Sequence, residues 1–318
     1  MAKRSERQWV ERLRERFATT APGVALGIGD DAAILAGHGD DWVCSVDASV
    51  EGVHFDRRFL ELRDVGYRSF QAAASDLAAM GAVPVAALSA LILPATLPAA
   101  ELDELTLGQR DASLECECPM VGGNIARGTE LSVTTTVLGR VQKALPRGGA
   151  RPGEQLWLVG SVGMAAAGLA ALRLGDVAQR SSLASCVQAW RRPRALLVQG
   201  RQLAQLASSA IDVSDGLASD ARQLARASGV RLVVSRDLLR AALDPSLRMA
   251  SRALRRSALP FALYGGEDYA LLATGPSARR PNWAKAIGWV TRGQGVFLDL
   301  GALAVPIEGG YDHLARGR

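Results

Sequence analysis

Near its middle the chain carries Leu145-Pro146-Arg147-Gly148-Gly149-Ala150-Arg151-Pro152-Gly153, a run too dense in proline and glycine to continue a helix or a central strand. On both sides of it, strand-like and helix-like patterns alternate. The 318 residues suffice for two hydrophobic cores. The run therefore predicts a boundary, with one domain over 1–148 and a second over 149–318. Both halves mix strands and helices, which places the fold in the α/β or α+β class.

In the first half, Asp41–Asp47, Val85–Leu93 and Leu131–Val141 read as strands. Asp64 to Met80 reads as a helix with Asp64 as N-cap, Gly81 just past its end and Pro84 as a stop. Leu97–Leu114 has a second helical pattern. In the second half, Gln155–Gly160 and Val230–Val234 read as strands. Ala165–Leu174, Arg194–Ser208 and Leu217–Ala227 read as helices. Ala262–Tyr264, Gly265-Gly266 and Tyr269–Ala273 read as strand, turn and strand.

Bulk properties narrow the function classes. The net charge of +5 permits anionic ligands, but the basic residues are scattered and aromatics are only 5%, which argues against nucleic acid. No stretch approaches a membrane span. The N-terminal segment lacks an apolar signal core, and Val10, Leu13 and Phe17 suit a short amphipathic helix. The four cysteines, Cys44, Cys116, Cys118 and Cys186, show no disulfide framework or zinc spacing, so a cytoplasmic location is expected.

The chemistry lies in carboxylates placed where hydrophobic runs break off. Asp47 ends Val43-Cys44-Ser45-Val46. Gly27-Ile28-Gly29-Asp30-Asp31 precedes Ala32–Leu35 and, taken alone, is an ordinary tight turn. Asp76 falls in the last turn of an alanine-rich helix, where the macrodipole disfavours a negative charge. It is either a solvent-facing residue or part of a site where a bound cation reverses that penalty. Asp212 and Asp215 flank Ser214 where an apolar segment meets a helix; capping accounts for Ser214 or Asp215 but not for Asp212. Together these acids predict a cluster holding Mg²⁺ against phosphates. Val121-Gly122-Gly123-Asn124 reads as a turn, or as a glycine pair whose amides approach a phosphate. Gly160-Ser161-Val162-Gly163 lacks the Lys-Ser/Thr of a phosphate loop and reads as a structural turn. His54 follows Asp47 closely. Glu267 and Asp268 follow paired glycines. Arg147, in the central run, is placed to reach phosphates bound between domains. No Ser-His-Asp ordering emerges, and the set favours phosphoryl chemistry.

Taken together, Gly27–Leu35, Ser45–Phe55, Ser75–Pro84, Val121–Gly128, Arg147–Gly153, Ala210–Asp220, Leu263–Leu271 and Gly310–His313 resemble the thiamine-monophosphate kinase family. That family lies within the superfamily named for aminoimidazole ribonucleotide synthetase. Gly-Glu-Asp-Tyr at 266–269 and Gly-Tyr-Asp-His at 310–313 are the most specific matches. The resemblance implies ATP-dependent phosphorylation of thiamine monophosphate, with several Mg²⁺ ions. It also implies a homodimer of two-domain chains whose N-terminal mixed sheets and helices form a barrel at the interface, each with a C-terminal α/β domain. By position, Asp30, Ser45, Asp47, Asp76, Asp212 and Asp215 would bind Mg²⁺. Gly123, Arg147 and Ser214 would contact ATP, and His54, Glu267 and Tyr311 the thiamine phosphate.

Three positions depart from the family pattern: Asn124 where an acid is usual, Val46 where Thr is common and Thr106 where an aromatic residue is often found. Asn124 keeps a carbonyl ligand for metal but loses a charge. These departures are the support for an alternative in which a relative binds nucleotide or thiamine phosphate with reduced or lost turnover.

Overall fold

In the computed structural model, residues 23–175 and 180–309 are described, together with Gln8, Val10, Glu11 and Glu15, which are helical. Tyr311 and the Gly310–His313 match lie outside the described residues, as do Leu13 and Phe17.

Thirteen strands form two mixed sheets among the described residues. The first holds β1 (Val24–Leu26), β2 (Ala33–Leu35), β3 (Asp41–Val50), β4 (Val83–Pro94), β5 (Met120–Gly128) and β6 (Ser132–Val141), in the order β1-β2-β3-β6-β4-β5. Only β4 and β5 run parallel. The second is built from β7 (Gln155–Val159), β8 (Ser209–Val213), β9 (Arg231–Ser235), β10 (Ala270–Gly275), β11 (Lys285–Thr291), β12 (Gly295–Asp299) and β13 (Ala304–Pro306). Its order is β13-β12-β9-β11-β7-β10-β8, with β9 and β12 parallel.

Helix α1 (Leu62–Ala79) organises the interior. Its second half is alanine-rich, which favours helix, and nearly every side chain on it is buried. It packs on α2 (Ala99–Glu115) so closely that a Cβ on Gly66 would meet the Leu105 carbonyl at 1.9 Å and one on Gly108 the Arg63 carbonyl at 1.9 Å. Its other side joins a core containing Leu77 and Met80 of this helix end together with Trp157, Leu203 and Leu271 from the second half of the chain. The last turn of α1 is thereby held between the two sheets. Around the second sheet lie α3 (Met164–Leu172), α4 (Ser181–Arg191), α5 (Leu197–Leu206), α6 (Leu217–Ser228), α7 (Arg236–Ala242), α8 (Pro245–Ala253) and α9 (Ala258–Tyr264).

Several expected boundaries shift. Helix α1 begins at Leu62, with Glu61 in extended backbone at the N-cap and Asp64 in its first turn, so the cap lies three residues earlier than expected and Leu62 is buried within the helix. Strand β4 starts before Pro84; the ladder accepts the proline at the strand's beginning and shifts register between Pro84 and Ala86. Residues 262–264 are helical, not a strand: Ser257 caps α9 by accepting the Leu259 N–H, and Pro260 sits in the first turn, where no donor is missed. Residues 121–124 are part of β5, not a turn. Gly123 is required there, since a Cβ would meet the Ser89 carbonyl at 1.8 Å.

Candidate functional site

Three segments distant in sequence converge at the last turn of α1. Strand β3 presents Val43, Ser45 and Asp47 on one face by its period of two. Val43 is fully buried, and Ser45 continues that face to α1, donating its hydroxyl to Asp76 Oδ2 and lying 3.2 Å from the Asp31 carbonyl oxygen. The loop between β1 and β2 brings in Asp30 and Asp31. Strand β8, buried along its whole length, brings in Asp212, which accepts a 2.8 Å hydrogen bond from Ser75.

The result is a group of three carboxylates. One oxygen from each of Asp31, Asp76 and Asp212 lies within 4.8 Å of the others. Burial, with the charges of Asp212 and Asp31 close by, pushes the Asp76 carboxyl well above the usual carboxylate range. Burial and then Asp31 push Asp212 up as well, with Ser75 and Arg147 working against the shift. Burial and Asp31 likewise raise Asp30. Acids crowded and desolvated in this way resist ionising together.

Arg147 supplies the cationic contact within the described residues. Its Nη2 donates to Asp31 Oδ1 at 2.5 Å, its Nε lies 3.8 Å from Asp30 Oδ1, and its backbone N–H donates to Asp30 Oδ2 at 3.0 Å. Its Nη1 donates to Gln223 Oε1 at 2.9 Å. Gln223 donates in turn to Asp220, and Asp220 accepts the Asp215 backbone N–H at 3.1 Å. A chain of hydrogen bonds thus runs from Asp31 to the loop carrying Ser214 and Asp215.

The donor set suits a hard divalent cation. Asp31 Oδ2 is buried without a hydrogen-bond partner, and three carboxylate oxygens converge, with Ser45 adding a hydroxyl at the edge. The converging ligand candidate in this turn is Asp31, where the resemblance implies Asp30. Both sit in the same turn; the side that faces Asp76 is decided by the packing of the β1–β2 loop on β3.

From this acid end a cavity of about 870 Å³ runs along α1 and α3. Asp47, Asp76, Asp212, Ser214 and Asp215 line one end, and His54 and Glu267 line it further along with Phe55, Phe59 and Tyr264. His54 Nδ1 accepts the Val50 N–H at 3.1 Å, which leaves the ring proton of the neutral form on Nε2. Glu267 belongs to a loop whose residues Glu267 and Tyr269 both have positive φ, +66° and +50°. That loop is tied to the Asp212–Asp215 segment: the Glu267 N–H donates to the Ser214 carbonyl at 2.7 Å and the Tyr269 N–H to the Val213 carbonyl at 2.9 Å. The turn 160–163 is occupied from within, since the Gly163 and Ala165 N–H groups donate to Asp268 at 2.5 and 2.9 Å. Its helix N-terminus is satisfied by an internal carboxyl acceptor, in keeping with a structural role.

Gly123 and Asn124 stand apart. Asp47, Thr135, Ser89 and Gly123 are successive cross-strand partners, so Gly123 on β5 is three strand spacings, about 14 Å, from Asp47 on β3. Both residues are exposed on the sheet edge. Thr106 is exposed on α2, with its hydroxyl turned back to the Leu102 and Asp103 carbonyls.

Comparison with known proteins agrees with this arrangement. Residues 29–141 match the AIR synthase related protein N-terminal domain, and residues 151–300 match the corresponding C-terminal domain. The thiamine-monophosphate kinase of Salmonella typhimurium is 35% identical, covering 96% of this chain and 97% of its own. That of Aquifex aeolicus is 31% identical, covering 86% of this chain and 89% of its own. A solved structure of AaThiL complexed with AMPPCP and TMP superposes with a TM-score of 0.91 at 28% identity, covering 98% of this chain and 99% of that one. With both domain models matched in order and full-length relatives above 30% identity, the chain belongs to the thiamine-monophosphate kinase family of AIR synthase related proteins.

Proposed function

We propose that this chain transfers the γ-phosphoryl group of ATP to the phosphate of thiamine monophosphate, giving thiamine diphosphate. The observation that carries the reading is the convergence of Asp31, Asp76 and Asp212 at one end of a cavity that also holds Glu267. Relatives named thiamine-monophosphate kinase over nearly the whole chain support it, as does the likeness to AaThiL with AMPPCP and TMP.

Mg²⁺ bound here would cancel charge on the phosphates of two anionic substrates. Asp30, Ser45, Asp47, Asp76, Asp212 and Asp215, joined by Asp31, are the residues that would hold it. Arg147 and Ser214 serve ATP. Arg58, Arg173 and Arg256 line the cavity and favour entry of anions. Positioning and electrostatics supply most of the rate in such a transfer. No strong general base is needed, because an acceptor phosphate oxygen is already a competent nucleophile. His54, Glu267 and Tyr311 bind the thiamine phosphate.

The same reading divides the chain at 148/149 and includes a homodimer. Val46, Leu88 and Ile92 are exposed on the face of the first sheet turned away from α1, and β5 offers an unpaired edge within the described residues. A second copy covering that face would close the expected barrel and bring its own Gly123 and Asn124 to the nucleotide. A cytoplasmic location fits the free cysteines. Among the described residues no helix is long and apolar enough to cross a membrane.

The test mixes protein, ATP, Mg²⁺ and thiamine monophosphate and measures thiamine diphosphate. No product across a wide Mg²⁺ range overturns the reading, and calorimetric binding without product would favour the relative that has lost turnover.

A further inference from the structure

Arg68, Ala72 and Asp76 recur every four residues on α1 and share one face of it. Ala72 and Asp76 line the cavity, and Arg68 lies about 12 Å back along the helix axis from Asp76. At that distance from the acids its guanidinium, only 5% exposed, donates from Nη2 to Glu267 Oε1 at 2.5 Å and from Nη1 to the Trp190 carbonyl at 2.7 Å. Trp190, itself 2% exposed, donates its indole N–H to Glu267 Oε2 at 2.8 Å, and the Arg68 guanidinium lies 4.8 Å from the centroid of its ring. Each oxygen of Glu267 therefore has one protein donor of fixed direction and a further lone pair open to a ligand. The side chain keeps 29% exposure and lines the cavity.

The backbone of Glu267 is in the left-handed region at φ +66°, which costs roughly 1 kcal/mol or more for a residue with a Cβ. The fold holds this strained residue by both carboxylate oxygens and by its N–H. The grip also spans the two halves of the chain. Arg68 belongs to the helix under the first sheet, and Trp190 to the end of α4. The segment after Trp190 is clamped on the same helix, through Arg192 to Asp64 at 2.9 Å and the Ala195 N–H to Gln71 at 2.8 Å.

We propose that Arg68 and Trp190 are positioning residues that fix Glu267 as a rigid acceptor for the hydrogen-bond-donating heteroaromatic end of the acceptor substrate. The proposal rests on the thiamine monophosphate reading. It assigns substrate discrimination to a tie between α1 and α4, with the helix setting the spacing between the phosphate-binding acids and the recognition end.

The experiment compares wild type with Trp190→Phe, Arg68→Lys, Glu267→Gln and the Trp190→Phe/Glu267→Gln double variant. It uses the full chain in steady state with ATP and Mg²⁺, plus calorimetry with thiamine monophosphate. Trp190→Phe keeps an aromatic ring beside Arg68 but removes the indole N–H and part of the ring volume; it is expected to raise the KM for thiamine monophosphate about tenfold while leaving the KM for ATP within about twofold. Arg68→Lys, which cannot bridge Glu267 and the Trp190 carbonyl together, is expected to follow it, and it carries the test if Trp190→Phe does not fold. In the Glu267→Gln background, Trp190→Phe is expected to add little. A full effect of Trp190→Phe in that background, or an equal rise in both KM values, overturns the proposal. Turnover of thiamine monophosphate by wild type with both single variants unaffected overturns this inference alone. Absence of turnover and binding in wild type overturns the functional reading and this one with it.

Discussion

Arg147 donates from Nη2 to Asp31 Oδ1 at 2.5 Å, and the Asp31 side chain is fully buried. The pair joins the Pro/Gly run between the sheets to the loop between β1 and β2. Burial works against charge on Arg147, yet Asp31 and Asp30 keep it protonated well above its ordinary range. Removing one member of a buried pair strands the other. Arg147→Met is therefore expected to lower metal-free stability by about 3 kcal/mol. Urea unfolding with and without Mg²⁺ checks this, and added Mg²⁺ should restore part of the loss by replacing the missing positive charge.

Asp76→Asn should act in the opposite direction on stability. It removes a desolvated carboxyl that burial and the neighbouring Asp212 and Asp31 hold in its protonated form, so the metal-free protein gains about 1 kcal/mol near neutral pH. Turnover should fall at least about a hundredfold, since electrostatic stabilisation of the transferred group is lost. Thermal unfolding and product formation on the same preparation measure both; an active variant would remove Asp76 from the proposed metal set.

Asp268 gives a pH prediction. Burial of its carboxyl, only partly offset by the Ala165 and Gly163 N–H groups, raises its pKa to about 7. A folded-state pKa above the unfolded value means that the native state binds the proton more tightly. The associated stability is full below about pH 4 and is lost as pH rises through about 7. The stability of wild type relative to Asp268→Asn should therefore decline between those values and level off above them. Denaturant midpoints across the range measure the slope, and a rising difference would contradict the assignment.

The proposed dimer can be tested by complementation. If each site takes its acids from one chain and β5 from the other, Asp76→Asn and Asn124→Lys chains are each inactive alone. Coexpressed, they should recover about a quarter of wild-type activity, because half the dimers are mixed and each of those has one intact site. Sedimentation should give twice the chain mass, and Ile125→Lys, on the exposed edge strand β5, should shift it to monomer. Activity that never recovers in the mixture would place the whole site within one chain.

Much of this was legible in the residues. Gly81, with φ +70°, ends α1 where the pattern placed it, and Gly229, with φ +65°, does the same for α6. These are local rules, and local rules survive in context. Asp76 was conspicuous because it breaks one, an acid at the negative end of a helix, and the structure brings it to Asp31 and Asp212. Residues 121–124 and 262–264 are not legible locally, because glycines in a parallel edge strand resemble a turn and three apolar residues carry no period.

By itself the sequence determined the division into two mixed sheets' worth of elements, the family, and which acids are out of place for their local structure. Those follow from backbone preferences and short-range patterning. Only the tertiary structure decided that Asp31 faces Asp76 and Asp212, that Arg147 bonds Asp31 and Gln223, and that β5, with Gly123 and Asn124, lies three strand spacings, about 14 Å, from Asp47 in the same chain. Only it tied Arg68 and Trp190 to Glu267, across 199 and 77 residues of chain. Side-chain direction across such separations is set by how α1 packs between two sheets, and no local window of sequence encodes that packing.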